Sequence, residues 1–128
     1  MNARAAGRTV LIVEDAGACR ATLEIALQAL PVVVHCTSSA EEALEVLSHG
    51  DVSAIITDLH LPAMDGFELI ERIRALPELT TLPILVTSGD SDPRTPARVI
   101  QTGANAFFPK PYSPAAVRQR LEQLIDAT

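Results

Sequence analysis

The sequence predicts a doubly wound α/β domain, and three observations carry that prediction. Five short apolar runs are separated by segments in which apolar residues recur at helical spacing, the pattern of a parallel sheet with a helix in each crossover. The runs do not alternate polar with apolar residues, so their strands should be covered on both faces. At 128 residues, with 48% hydrophobic and 20% charged, the chain can build one core but not two.

The elements follow in order. Residues 9–13 are apolar and rich in β-branched side chains, and they stop abruptly at Glu14 and Asp15. Over 16–30, Leu23, Ile25, Ala26, Leu27 and Leu30 recur at helical spacing until Pro31 ends the pattern. Arg20 reads there as a solvated helix residue. Residues 32–36 are a second strand. Ser39, with Glu42 three residues on, forms a capping box that opens a helix through Ala43, Leu44 and Leu47 to Gly50. Residues 52–57 are again apolar and stop at Asp58. In the loop Leu61-Pro62-Ala63-Met64-Asp65-Gly66 the last three residues read as turn chemistry, and a helix through Phe67, Leu69, Ile70 and Ile73 follows. The fourth strand, 83–87, ends at Ser88-Gly89. Pro93 and Pro96 give the next helix a short or irregular start, and Gly103 closes it. Residues 106–109 are the fifth strand, and Ser113-Pro114 caps a last helix that runs to Ile125.

In such folds ligands gather outside the carboxyl ends of the strands. The sequence places Glu14 and Asp15 there after the first strand, Asp58 after the third, Ser88 after the fourth (with Thr87 as the adjacent alternative), and Lys110 after the fifth. Three converging carboxylates repel one another unless a cation or a proton intervenes. Oxygen donors without a His or Cys cluster favour a hard ion, and a small carboxylate set with room for water and phosphate suits Mg²⁺. An aspartate beside Mg²⁺ and a lysine can attack phosphorus to give an acyl phosphate. Ser88 could then donate to one phosphoryl oxygen while Lys110 pairs with another.

Composition narrows the classes further. Sixteen acids against ten bases give −6, and nine of those bases are arginine, leaving Lys110 as the single lysine. A polyanion would be repelled, so nucleic acid is not an expected direct partner. No secretory signal and no membrane-length apolar run is present, so the expected setting is the cytoplasm, with no membrane partner. Cys19 and Cys36 lack metal-ligand spacing and read as reduced, buried thiols. Of the four aromatic residues, Phe107, Phe108 and Tyr112 crowd around Lys110, and the fourth is Phe67.

At these residues the chain resembles the receiver domain of two-component response regulators. The likeness rests on Leu11-Ile12-Val13-Glu14-Asp15, on Thr57-Asp58-Leu59-His60-Leu61-Pro62-Ala63-Met64-Asp65-Gly66, and on Phe108-Pro109-Lys110-Pro111-Tyr112. It implies a flavodoxin-like sheet of order 2-1-3-4-5, with residues 1–7 as a tail and 8–126 as a single receiver domain. No output domain is expected after it, so the chain reads as a stand-alone switch or as a fragment of a longer regulator. The resemblance further implies that Asp58 accepts a phosphoryl group from a histidine kinase or a histidine phosphotransfer protein. Asp15, Asp58 and the backbone carbonyl of His60 would bind Mg²⁺ directly, and Glu14 largely through water. Lys110 would pair with the phosphorylated Asp58, and Ser88, thirty residues after Asp58, would be the switch hydroxyl. Phe107, three residues before Lys110, would turn inward and change the affinity of the helix 4, strand 5 and helix 5 face for an effector protein still to be identified. His60 and Asp90 stand where the family flanks the attacking water and tunes phosphoryl lifetime. In this reading the chain is not an enzyme beyond its own phosphorylation and dephosphorylation. Two alternatives stay open: a receiver-like adaptor that works without phosphorylation, and an aspartate-nucleophile phosphatase, which would want a second Asp where His60 stands.

Overall fold

The computed structural model describes residues 7–127. Five parallel strands, β1 (Arg8–Val13), β2 (Val32–Thr37), β3 (Ala54–Asp58), β4 (Ile84–Ser88) and β5 (Ala106–Pro109), form one sheet in the order β2-β1-β3-β4-β5. Helices α1 (Gly17–Leu27), α2 (Ala40–Ser48), α3 (Gly66–Arg74), α4 (Thr95–Thr102) and α5 (Pro114–Ala127) make the crossovers, and a 3₁₀ turn, Pro77–Leu79, follows α3. This is the doubly wound (βα)₅ architecture and strand order expected from the sequence. The expected 1–7 tail lies outside the described residues except for Gly7.

Side chains of alternate strand residues build two cores. Val10, Ile12, Ala54, Ile56 and Leu85 pack on one face against Leu23 and Leu27 of α1 and Val117, Leu121 and Ile125 of α5. Leu11, Val13, Ile55, Ile84 and Val86 pack on the other face against α2, α3 and α4. Covering both faces is why the strands read as unbroken apolar runs; each fully buried Leu or Ile adds about 2 kcal/mol of burial.

Most element boundaries move by one or two residues from the sequence reading, for a consistent reason. Thr37, Asp58 and Ser88 are polar, yet each is the last residue of its strand, because the backbone ladder continues past the apolar side chains. Helix α1 ends at Leu27, earlier than expected; Leu30 is buried from the turn beyond it, held by its N–H to the Leu27 carbonyl at 3.0 Å. Ser39 caps α2 as expected, accepting from the Glu42 N–H at 3.2 Å, while the Glu42 carboxylate accepts from the Ser38 hydroxyl at 3.0 Å. Asp65 likewise caps α3 through the Glu68 N–H, so its role is turn and cap chemistry. Helix α4 starts at Thr95 from an Arg94 that provides no side-chain cap, the short start that Pro93 and Pro96 impose.

Two expectations are corrected. Arg20 is not a freely solvated helix residue: its guanidinium donates to the Glu14 carbonyl at 2.8 Å, a contact made only once the chain turns from β1 into α1. The cysteines are free but only half-buried, and Cys36 donates to Glu24 at 3.1 Å. Burial, then the nearby Glu24 carboxylate, pushes the Cys36 thiol up to about 11. No helix among the described residues is long and apolar enough to cross a membrane.

Candidate functional site

Because all five strands run parallel, their carboxyl ends share one edge, and the predicted residues meet there. Glu14 follows β1 and is buried, 1% exposed. One of its carboxylate oxygens accepts from the Ala16 N–H at 3.1 Å at the start of α1, and the other from Lys110 Nζ at 3.2 Å. Asp58 ends β3 at 7% exposure, with Oδ2 3.3 Å from Lys110 Nζ and Oδ1 accepting from the His60 N–H at 3.4 Å. Asp15 is exposed, and one oxygen from each of Glu14, Asp15 and Asp58 lies within 4.8 Å of the others. The structure thus brings together residues 96 and 52 positions apart.

Burial, and then the neighbouring Asp58 charge, raises the Glu14 pKa, although the Ala16 N–H and Lys110 oppose this. Burial also works against the Lys110 ammonium, but Asp58 and Glu14 outweigh it and the net shift is upward. The cluster therefore carries more negative charge than its one ammonium balances. An oxygen-only set of this kind fits a hard divalent cation such as Mg²⁺, and Asp15 is its open side.

The loop carrying Asp58 is fixed by close backbone packing. The Gly66 N–H donates to the Leu59 carbonyl at 2.7 Å, and a Cβ at Gly66 would stand 2.8 Å from Leu59 Cα and 2.9 Å from the Asp58 carbonyl oxygen. Glycine is required there by approach, not by an unusual φ.

The two hydroxyls at the end of β4 face opposite ways. Ser88 continues the Val86 side of the strand, whose β5 register partner is Phe107, and Phe107 is half-buried against the α2–α4 core. Thr87 pairs in register with Asp58 and Phe108, on the α1/α5 side. Ser88 Oγ accepts from the Asp90 N–H at 3.0 Å, and the Ser88 carbonyl accepts from the Lys110 N–H at 2.7 Å. The Asp90 carboxylate accepts from the Asp92 N–H at 2.8 Å and the Thr95 hydroxyl at 3.1 Å. His60 Nε2 stands 3.7 Å from Asp90 Oδ2, linking the loops after β3 and β4. Thr95, 5% exposed, is a site-edge residue that the sequence reading did not single out, and Arg20 is one that it read as solvated. Their partners, Asp90 and Glu14, lie five and six positions away, a spacing that matches no capping motif.

Comparison with known proteins agrees with this geometry. Residues 10–122 match the response regulator receiver domain, and the chain belongs to that family. The two-component response regulator ORR7 of Oryza sativa subsp. japonica is 32% identical over 117 residues, covering 91% of this chain and 56% of that protein. The sensory/regulatory protein RpfC of Xanthomonas campestris pv. campestris is 30% identical over 128 residues, covering 98% of this chain but 18% of its own length. The chain thus spans about half or less of these two relatives. Among solved structures, the receiver domain of the sensor histidine kinase PA1611 from Pseudomonas aeruginosa PAO1 superposes with a TM-score of 0.84 at 26% identity, covering 94% of this chain and 99% of that one. That domain was crystallised with a magnesium ion coordinated in its active site cleft.

Proposed function

We propose that this receiver domain is a phosphorylation-activated switch whose phosphoacceptor is Asp58, with residues 8–126 acting as one unit in the cytoplasm. The observation that carries this reading is the Asp58 carboxylate, held 3.3 Å from Lys110 Nζ inside a three-carboxylate cluster. An Asp58 oxygen attacks the phosphorus of a phosphohistidine on a histidine kinase or phosphotransfer protein. The new O–P bond forms as the donor's N–P bond breaks, and the histidine leaves with the electron pair. Glu14, Asp15, Asp58 and the His60 carbonyl would hold Mg²⁺, which supplies positive charge against the incoming phosphoryl oxygens. Lys110 neutralises a further share and holds the phosphorylated Asp58 in place.

Ser88 is the switch hydroxyl in this reading, supported by the face it shares with Phe107. Drawing Ser88 toward the phosphoryl group releases the Asp90 N–H, and with it the Asp90–Thr95 bond at the start of α4. Phe107 can then settle deeper, and the surface of α4, β5 and α5 changes its affinity for an effector protein. His60 and Asp90, bridging the cleft, set how readily water reaches the acyl phosphate.

Acetyl phosphate or phosphoramidate with Mg²⁺ should add about 80 Da to the wild-type chain and nothing to Asp58→Asn, read by mass spectrometry. Absence of the adduct in the wild type, or its persistence in Asp58→Asn, would overturn the assignment. Lys110→Ala should still accept some phosphoryl group but fail to switch partner binding.

A further inference from the structure

Thr87 presents an anomaly beside the site. Its side chain is buried at 1% exposure, and its Oγ1 is a buried side-chain oxygen with no hydrogen-bond partner among the described residues. A hydroxyl left unpaired in a core destabilises the fold, and valine would fill the same volume without that penalty. Its position gives the hydroxyl a use. Asp58, Thr87 and Phe108 lie side by side across β3, β4 and β5, and residues in parallel register project to the same face. Leu85, Ile56, Ala106 and Phe108 show that this is the α1/α5 face. Lys110, which lines a cleft with Cys19 and Thr22 of α1 and with Tyr112, reaches Asp58 from beyond β5 and so crosses the end of β4 on that face. Thr87 is the last β4 residue on the side being crossed.

The Lys110 ammonium has three protons, and Glu14 and Asp58 account for two of them. A phosphoryl group on Asp58 shifts negative charge outward and draws the ammonium after it, away from Glu14. The proton released from Glu14 then needs another acceptor, and the unpartnered Thr87 Oγ1 lies on the face that Lys110 crosses. We propose that Thr87 is a positioning residue for Lys110, its Oγ1 accepting that ammonium proton when Asp58 carries a phosphoryl group. This rests on Asp58 being the phosphoacceptor. It gives the two adjacent hydroxyls separate tasks: Ser88 bonds the phosphoryl group from one face of β4, and Thr87 steadies the lysine from the other.

The test compares wild type, Thr87→Val and Thr87→Ser by thermal unfolding of the metal-free chain and by fluorine NMR titration with beryllofluoride, a phosphoryl mimic. Thr87→Val should raise Tm by about 3 °C, because it removes an unpaired buried hydroxyl. It should nevertheless weaken beryllofluoride binding about tenfold and shorten phosphoryl lifetime, and Thr87→Ser should restore both. A merely structural hydroxyl would move Tm alone. Beryllofluoride affinity unchanged in Thr87→Val, or a Thr87→Ser as weak as Thr87→Val, would overturn the proposal. A wild-type chain that gains no mass at Asp58 would instead overturn the phosphoacceptor reading, and this proposal with it.

Discussion

The two ends of the sheet are built on opposite principles. At the carboxyl edge, Glu14 and Asp58 are buried beside each other, share one ammonium, and stand next to an unpaired threonine hydroxyl. At the other end, Arg74 of α3 donates to the Gly103 carbonyl at 2.9 Å, the Leu79 carbonyl at 2.8 Å and the Asn105 side-chain oxygen at 3.1 Å. The same Asn105 oxygen accepts the Ile84 N–H at 2.8 Å, so one guanidinium ties the ends of α3 and α4 to the starts of β4 and β5. One end satisfies its polar groups and carries stability. The other gathers three carboxylates around one ammonium, so that a divalent cation has excess negative charge to relieve when it binds.

The largest effect should come from breaking the satisfied end. Arg74→Ala removes three hydrogen bonds and strips two half-buried backbone carbonyls, those of Gly103 and Leu79, of a partner, for a loss of about 3 kcal/mol. Thermal unfolding should show Tm falling by about 10 °C, while the initial rate of Asp58 phosphorylation at low temperature stays near wild type. A comparable loss of phosphorylation rate would show that the two ends are not separable. Gly66→Ala should strike both properties at once, since its Cβ meets backbone atoms of Leu59 and Asp58. About 2 kcal/mol of stability should be lost by denaturant unfolding, with phosphorylation slowed about tenfold as the Asp58 loop is displaced.

The smallest effect has the opposite sign. The folded-state pKa of Glu14 lies above the ordinary 4.5, first because of burial and then because of Asp58. Its contribution to stability is therefore full below about pH 4.5 and is lost as pH rises through the raised value. Glu14→Gln should accordingly be more stable than wild type at pH 7 in thermal unfolding, with the difference vanishing below pH 4.5. Equal stability of the two chains at neutral pH would mean that Lys110 already compensates the cluster.

How much could be read in advance depended on the range of the interaction. Residues such as Ile55 and Ile56 announce a strand because both faces must be apolar, and the acid that ends the run marks the edge where ligands collect. Ser39 and Asp65 declare their caps because the N–H groups they accept lie three residues away. Arg74 gave no such signal: Gly103 is 29 positions away and Asn105 is 31, and its other partner is a backbone carbonyl, which no side-chain pattern reveals. His60 and Asp90 were legible as positions beside the site, but not as a pair.

By itself, then, the sequence determined the parallel sheet, its two apolar cores and the gathering of Glu14, Asp15, Asp58, Ser88 and Lys110 at one edge, because periodicity and strand polarity are local properties. The tertiary structure alone decided which carboxylates share Lys110, that Arg74 is a tether, and which layer each of the adjacent Thr87 and Ser88 faces. Those outcomes depend on register between strands distant in sequence, and register is set when the two cores pack.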